Sequence, residues 1–153
     1  PCLASTPESV FGTSHMSELA IIILAAGKGT RMKSALPKVL HRAAGRSLLA
    51  HVLHAARPLD PGRTVVVVGP DMDNVAAEAR SVFPSAQVAI QTERLGTGHA
   101  VGMARAALEG FTGTVLVLYG DVPLITPETL RHMSSLAGSD AMAVLGFEAA
   151  IPK

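Results

Sequence analysis

The sequence LAAGKGTRM at residues 24–32, closed by PKVL at residues 37–40, is the part of the chain around which the rest is organised. An apolar run at residues 19–24 leads into it and has the length of a buried strand, too short to span a membrane. Two glycines follow, together with three cations, Lys28, Arg31 and Lys38. Glycine lets the backbone approach a ligand closely, and successive free N–H groups form a concave site for anions. The stretch therefore predicts a phosphate-binding loop at the carboxyl end of the first strand of an α/β sheet, where such sheets bind ligands.

The spacing of these glycines excludes two other glycine-rich loops. A P-loop requires G-x-x-x-x-G-K-[ST], whereas a single residue separates Gly27 from Gly29. A dinucleotide-binding loop requires G-x-G-x-x-G, and Met32 stands where its third glycine belongs. Taken alone, the stretch is also compatible with a surface turn that carries solvated charge.

Composition and charge describe one globular domain. The chain has 153 residues, of which 48% are hydrophobic and 16% are charged, so it can bury a core and is not disordered. Its formal net charge of +1 gives no reason to expect binding to nucleic acid or to a membrane. The single cysteine, Cys2, excludes an internal disulfide and fits a reducing, cytoplasmic location. We interpret residues 1–15 as an N-terminal tail and residues 16–153 as the domain.

Hydrophobic patterns predict that strands and helices alternate along the chain. The predicted strands are residues 19–24, 64–68, 86–90, 114–118 and 140–147. The predicted helices are residues 47–57, 73–82, 97–108 and 126–136. We expect Asp71 or Asp73 to cap the second helix and Thr126 to cap the fourth. This alternation indicates an α/β fold, with a Rossmann-like, mostly parallel sheet and helices on both faces.

A second motif, QTERLGTGHA at residues 91–100, follows the third predicted strand and opens a helix. Gly96 and Gly98 permit close backbone approach, and a helix start offers free N–H groups. The side-chain amide of Gln91 carries both a donor and an acceptor, so it can match the edge of a uracil. A simple turn in which Thr97 caps the helix is the alternative, and it explains the threonine but not the glutamine.

A third motif, YGDVPL at residues 119–124, places Asp121 just past the fourth predicted strand. An aspartate in this place is often only a cap or turn residue. Across the sheet edge from a phosphate loop, its carboxylate is also the kind of ligand that holds Mg²⁺ together with substrate phosphates. Among the histidines, we expect His51 and His54 to lie on a helix surface without a metal, and His99 to pack or to orient its neighbours.

These three segments together resemble the sugar-phosphate nucleotidyltransferases. The sequences AAG, TRM and Q-x-x-x-LGTGHA resemble in particular the bifunctional family that combines N-acetylglucosamine-1-phosphate uridyltransferase with glucosamine-1-phosphate N-acetyltransferase. The resemblance implies a fold of the nucleotide-diphospho-sugar transferase type. It also implies that UTP and N-acetylglucosamine 1-phosphate are converted to UDP-N-acetylglucosamine, a precursor of peptidoglycan and lipopolysaccharide, with release of pyrophosphate.

The resemblance implies roles for individual residues as well. Arg31 and Lys38 are expected to be catalytic, Arg31 acting on the departing pyrophosphate and Lys38 on the attacking phosphate or the α-phosphate. Gly29 and Thr30 are expected to belong to the phosphate loop, and Asp121 is expected to bind Mg²⁺. The residues expected to bind the nucleotide are Leu24, Ala25, Ala26, Gly27, Lys38, Gln91, Gly96 and Thr97.

In that family the sugar pocket, a second metal ligand and an acetyltransferase domain of the left-handed β-helix type follow the matching segment. We therefore expect residues 16–153 to be the N-terminal portion of a nucleotidyltransferase domain, truncated at its C-terminal end and with little or no activity alone. The full-length family enzyme is expected to be a homotrimer. The open alternatives are another sugar-phosphate nucleotidyltransferase and a nucleotide-binding regulatory module without turnover. A molybdopterin guanylyltransferase fits the first motif less well.

Overall fold

A computed structural model describes residues 19–27, 29, 32–137 and 141–146. The predicted tail at residues 1–15 lies outside this part of the chain, and so do Lys28, Thr30 and Arg31 of the glycine-rich loop. In chain order the elements are β1 (Leu19–Leu24), β2 (Arg42–Ala43), β3 (Arg46–Ser47), α1 (Leu48–Ala56), β4 (Arg63–Val68), α2 (Asp73–Val82), β5 (Gln87–Ile90), α3 (Thr97–Met103), β6 (Thr114–Tyr119) and α4 (Pro127–Leu136).

The centre of the fold is a parallel sheet of four strands in the order β5-β4-β1-β6. β1 lies inside the sheet, where Ile22 pairs with Val65 of β4 on one side and Val117 of β6 on the other. Runs of Ile and Val favour such strands because branched side chains pack well on a sheet that is covered on both faces. The first four predicted strands and the parallel arrangement are confirmed.

Helices cover both faces of this sheet. On one face, α1, α2 and α4 bury Leu53, Val75 and Leu130 in a cluster that includes Ile23 of β1. On the other face, α3 packs against the residues around Ile22. Each such side chain, when fully buried, contributes about 1.5–3 kcal/mol to folding. The predicted arrangement with helices on both faces is confirmed.

Side chains at two helix starts satisfy free backbone N–H groups. The Oγ of Ser47 accepts a hydrogen bond from the N–H of Ala50 at 3.0 Å and donates one to Oε1 of Glu78 at 2.5 Å, which joins α1 to α2. Thr126 caps α4 as predicted, because its Oγ1 accepts from the N–H of Thr129 at 3.3 Å. Each cap of this kind stabilises its helix by about 1 kcal/mol.

The predicted cap of α2 is wrong. Met72 occupies the capping position without a side-chain hydrogen bond, and Asp73 is already the first helical residue. Asp71 instead has a φ of 59° in the preceding turn. Aspartate tolerates this left-handed conformation better than most residues, so its role is to form the turn.

The third helix is shorter than predicted. α3 ends at Met103 and is followed by a separate 3₁₀ turn, Ala106–Leu108. At the break, the N–H groups of Ala104 and Arg105 bond to the carbonyl groups three residues earlier, at Val101 and Gly102. Glycine is a poor helix former, so a helix containing Gly98 and Gly102 gives way easily to this tighter turn.

The fifth predicted strand is wrong where the structure describes it, since residues 141–146 form no strand. Met142 and Val144 in this segment are largely exposed. Asp140 and Phe147 lie outside the described residues. A strand requires a hydrogen-bonded neighbour, and no other described strand pairs with β6 on the side away from β1. A short apolar run alone was therefore an insufficient signal.

A small antiparallel hairpin, β2 with β3, was not predicted. Its two turn residues, Ala44 and Gly45, have φ values of 49° and 82°, as two-residue hairpin turns require. Within the described residues, no helix combines the length and the apolar character needed to cross a bilayer.

Candidate functional site

The carboxyl ends of the parallel strands open into one cleft of about 300 Å³. After β1 the chain forms β4 and β5 on one side of it, and then crosses to form β6 on its other side. Open α/β sheets bind ligands where the strand order reverses in this way. The cleft is lined by every predicted site residue that the structure describes, namely Leu24, Ala25, Ala26, Gly27, Gly29, Lys38, Gln91, Gly96, Thr97 and Asp121. Arg31 and Thr30 lie outside the described residues. The cleft is also lined by four residues that were not predicted, Val39, Arg94, Ala100 and Tyr119.

The loop after β1 stays attached to the sheet before it enters the cleft. The N–H of Ala25 donates to the carbonyl of Val67 in β4 at 2.8 Å. Gly27 then has open space where a side chain would begin, whereas a Cβ on Gly29 would lie 2.7 Å from Cβ of Lys38. Gly29 also has a φ of 61°. This position therefore needs glycine both for its left-handed backbone and for the close passage of Lys38.

Replacing Gly29 by alanine is expected to lower the free energy of unfolding by about 1–3 kcal/mol, because an L side chain is strained at this φ and the Lys38 segment must move. Urea denaturation measures the loss. Gly27→Ala is the matched control, and its change is expected to stay within about 0.5 kcal/mol because its Cβ meets no atom. Equal losses in the two variants would contradict this account of the loop.

Lys38 and Asp121 form an ion pair in the cleft, with 2.6 Å between Nζ and Oδ2. Lys38 begins a 3₁₀ turn, and Asp121 follows β6 in a turn held to β1 by a 2.9 Å bond from the N–H of Gly120 to the carbonyl of Leu24. The two side chains remain 44% and 28% exposed, so the pair contributes only about 0–1 kcal/mol. It can therefore open when a charged ligand enters.

The carboxylate of Asp121 also fits a divalent cation that takes its other ligands from water and from substrate phosphates. In the described part of the chain, no group of three or more His, Cys, Asp or Glu side chains could hold a metal by itself. A cation at Asp121 would thus depend on the ligand for most of its coordination. Without a ligand, the ammonium group of Lys38 forms an ion pair with this carboxylate.

Gln91 is buried at the base of the cleft, with only 4% of its surface exposed. Its side-chain nitrogen donates to the carbonyl of Gly96 at 3.1 Å and lies 3.2 Å from Nδ1 of His99. In the tautomer with the proton on Nε2, His99 accepts the second amide hydrogen. Both donors of the amide are then used within the chain, and among the described residues nothing donates to Oε1. In that tautomer Oε1 of Gln91 is the atom left to accept a hydrogen bond from a ligand, whereas the sequence predicted that the side chain could offer both a donor and an acceptor.

Gly96 precedes α3 with a φ of 99°, and Thr97 is the first helical residue, so Thr97 does not cap this helix through its side chain. The turn that carries Gln91 is therefore shaped by the glycine.

The two neighbouring histidines of α1 lie outside the cleft. Nε2 of His51 is 2.8 Å from the carbonyl oxygen of Ala43 in the hairpin. Burial and the nearby charges of Arg46 and Arg57 lower the pKa of His54, which favours its neutral form.

Arg94 is the residue whose contact the sequence did not reveal. Its Nε donates to the carbonyl of Ala26 at 3.1 Å, which links the loop after β5 to the loop after β1. The sequence could indicate a role for Arg94 only through its place in the motif at residues 91–100. Its partner, the carbonyl of Ala26, is a backbone atom far away in the sequence.

Comparison with known proteins identifies relatives over most of the chain. The family described as MobA-like NTP transferase domain matches residues 21–150. The Bifunctional protein GlmU of Azorhizobium caulinodans is 59% identical over 140 residues, which are 90% of this chain and 31% of that protein. The protein of the same name from Rhodospirillum rubrum is 59% identical over 140 residues, which are 90% of this chain and 30% of that protein. The chain thus spans less than a third of the length of these curated relatives.

A solved structure shares the fold. That of Rv0371c from Mycobacterium tuberculosis H37Rv has a TM-score of 0.67 and 21% identity, and the likeness covers 78% of this chain and 60% of that one.

Proposed function

Because this chain belongs to the MobA-like NTP transferase domain family, we propose that its cleft binds UTP for uridylyl transfer to N-acetylglucosamine 1-phosphate. The products would be UDP-N-acetylglucosamine and pyrophosphate. The proposal is supported by the identity to two proteins named GlmU and by the three motifs described above. Both the substrates and the activity of the whole protein are part of this proposal.

The buried amide of Gln91 is the observation that carries the choice of base. With its nitrogen engaged by Gly96 and His99, its oxygen is left to accept a hydrogen bond. Uracil presents an N–H at ring position 3, whereas cytosine presents a lone pair there. Where ring position 3 of the base lies opposite this oxygen, cytosine would place one unpaired acceptor against another, which costs free energy in a buried site, so in this pose the cleft favours uracil over cytosine.

The residues of the cleft position the reactants and neutralise charge, and no protein nucleophile is needed. An oxygen of the sugar phosphate forms a bond to the α-phosphorus of UTP, and the bond from that phosphorus to the oxygen shared with the β-phosphate breaks. Backbone N–H groups near Gly27 and Gly29 hold the phosphates, and Lys38, once released from Asp121, pairs with a phosphate oxygen. Arg31 on the pyrophosphate, like Thr30 in the phosphate loop, remains a prediction outside the described residues.

Asp121 is the residue that would hold Mg²⁺, which when bound neutralises charge on the phosphates. The cytoplasmic location and the trimeric full-length enzyme stay predictions. We also propose that the chain by itself binds nucleotide but has little or no turnover, because the family resemblance places the sugar pocket outside the matching segment. Rapid pyrophosphate release by residues 1–153 would overturn that part.

Calorimetric titration with UTP, CTP, ATP and GTP in Mg²⁺ tests the proposal. We expect UTP to bind at least about tenfold more tightly than CTP, since one mispaired hydrogen bond costs about 1–3 kcal/mol. In a Gln91→Leu variant, UTP should bind about tenfold more weakly, and the preference over CTP should disappear.

Gln87→Leu is the matched control, because Gln87 is exposed at the opposite end of β5. It is expected to keep the selectivity of the unmodified chain. Binding without base preference would favour another nucleotidyltransferase, and absence of nucleotide binding by a folded chain would refute the proposal for this cleft.

A further inference from the structure

We propose that Arg94 is a positioning residue that sets the distance between the loop that carries Gln91 and the loop that carries the phosphate-binding glycines. The proposal rests on the proposed binding of UTP, because a nucleotide is the ligand that would span both loops. Nothing in the comparisons or in the sequence motifs assigns a role to this arginine.

The two loops do not come from neighbouring strands. The order β5-β4-β1-β6 places β4 between β5, which leads to Gln91, and β1, which leads to Gly27. Strands lie about 4.8 Å apart, so the loops start about 10 Å from each other. Neither loop can be held against the other by backbone pairing, and a long side chain must cross the end of β4 to connect them.

Arg94 makes this connection. It leaves the loop after β5, and its Nε donates to the carbonyl of Ala26 beyond β1 at 3.1 Å. Ala26 is 6% exposed, so its carbonyl is removed from most of the solvent and gains from a charged donor. The guanidinium is rigid and planar, which fixes direction as well as distance.

Gly69, directly after β4, leaves the space through which this side chain passes. A Cβ at Gly69 would lie 2.6 Å from Nη2 of Arg94 and 2.9 Å from Sδ of Met72. Both atoms are the ends of flexible side chains, so an alanine here can be accommodated only if they move. Gly69→Ala is therefore a way to displace the arginine without removing it.

The role in positioning predicts a specific pattern of binding losses. Arg94→Met should weaken UTP binding about tenfold, because the two halves of the nucleotide no longer meet loops at the matched distance. Inorganic pyrophosphate contacts only one loop, and its affinity should change by less than about twofold. If Arg94 instead touched the triphosphate, pyrophosphate would lose affinity to the same extent as UTP, and the proposal would fail.

Gly69→Ala should reproduce the loss for UTP, and in the Arg94→Met background it should add clearly less than its own loss, because both changes remove the same contact and only the displacement of Met72 is left. Fully additive losses would overturn the proposal. Arg80→Met is the matched control, since Arg80 is exposed on α2 away from the cleft lining. It should bind UTP and pyrophosphate like the unmodified chain.

Amide hydrogen exchange of the ligand-free chain tests the contact without any nucleotide. In Arg94→Met, residues 25–27 and 91–96 should exchange faster, while residues 74–82 of α2 should be unaffected. Unchanged exchange in both loops would refute the positioning role. Failure of the unmodified chain to bind UTP would instead refute the proposed function, so the two failures are distinguishable.

Discussion

Asp121→Asn is expected to weaken UTP binding about 100-fold in Mg²⁺ and to make it tighter in EDTA. When Mg²⁺ is present, the variant lacks the carboxylate that would bind the cation together with the triphosphate. That bridge is expected to contribute several kcal/mol to the binding of UTP. Without the cation, the unmodified carboxylate repels the triphosphate and holds Nζ of Lys38 at 2.6 Å. Its removal then frees the lysine for phosphate. Calorimetric titration with UTP in Mg²⁺ and in EDTA measures both effects.

A second aspartate provides the control for this experiment. Asp60 is exposed just before β4, at the amino ends of the strands and therefore far from the cleft. Asparagine tolerates its φ of 47°. Asp60→Asn should therefore match the unmodified chain in both buffers. Equal losses in Mg²⁺ and in EDTA for Asp121→Asn would contradict a role in cation binding, and they would indicate a damaged cleft.

Lys38→Met is expected to weaken UTP binding about 10- to 100-fold in Mg²⁺, and by less in EDTA, where Asp121 already holds the lysine. A charged hydrogen bond to phosphate contributes about 1.5–3 kcal/mol, and methionine keeps the apolar stem without the charge. Stability should change little, since the ion pair with Asp121 is partly exposed. Titration with UTP in both buffers, together with thermal denaturation, separates the two quantities.

The matched control is Lys33→Met, an exposed lysine in the same connection that does not line the cleft. It should leave UTP affinity within about twofold of the unmodified chain, as screened surface charges contribute little. If Lys38→Met bound UTP as tightly as this control, Lys38 would have no part in holding phosphate.

The parallel sheet could be predicted because each strand is specified by its own residues. The runs at 20–24 and 65–68 are continuously apolar and rich in Ile and Val, which is typical of strands covered on both faces. The cleft followed from the sheet, since parallel strands bring the segments after them to one edge. Gly27, Gln91 and Asp121 therefore came together without any knowledge of the helices.

Features that depend on which strands are neighbours could not be predicted in this way. The contact of Arg94 with Ala26 makes sense only when β4 is known to lie between β5 and β1. Residues 141–145 are all apolar, as in a buried strand, and yet this segment has no pairing partner among the described residues. The partners of the Gln91 amide nitrogen could likewise not be predicted, because they are set by the turn at Gly96 and by the position of His99.

The place of β1 inside the sheet has a consequence for synthesis on the ribosome. β1 is translated before β6, but it pairs through Leu19 with Thr114 of that strand, far along the chain. At about 5–20 residues per second, roughly 5–20 seconds pass before that partner emerges. During this interval the apolar Ile21–Ile23 segment has an unpaired edge, at which a chaperone or a second nascent chain can bind. The order of translation therefore leaves one edge of β1 open to such contacts until β6 has been made.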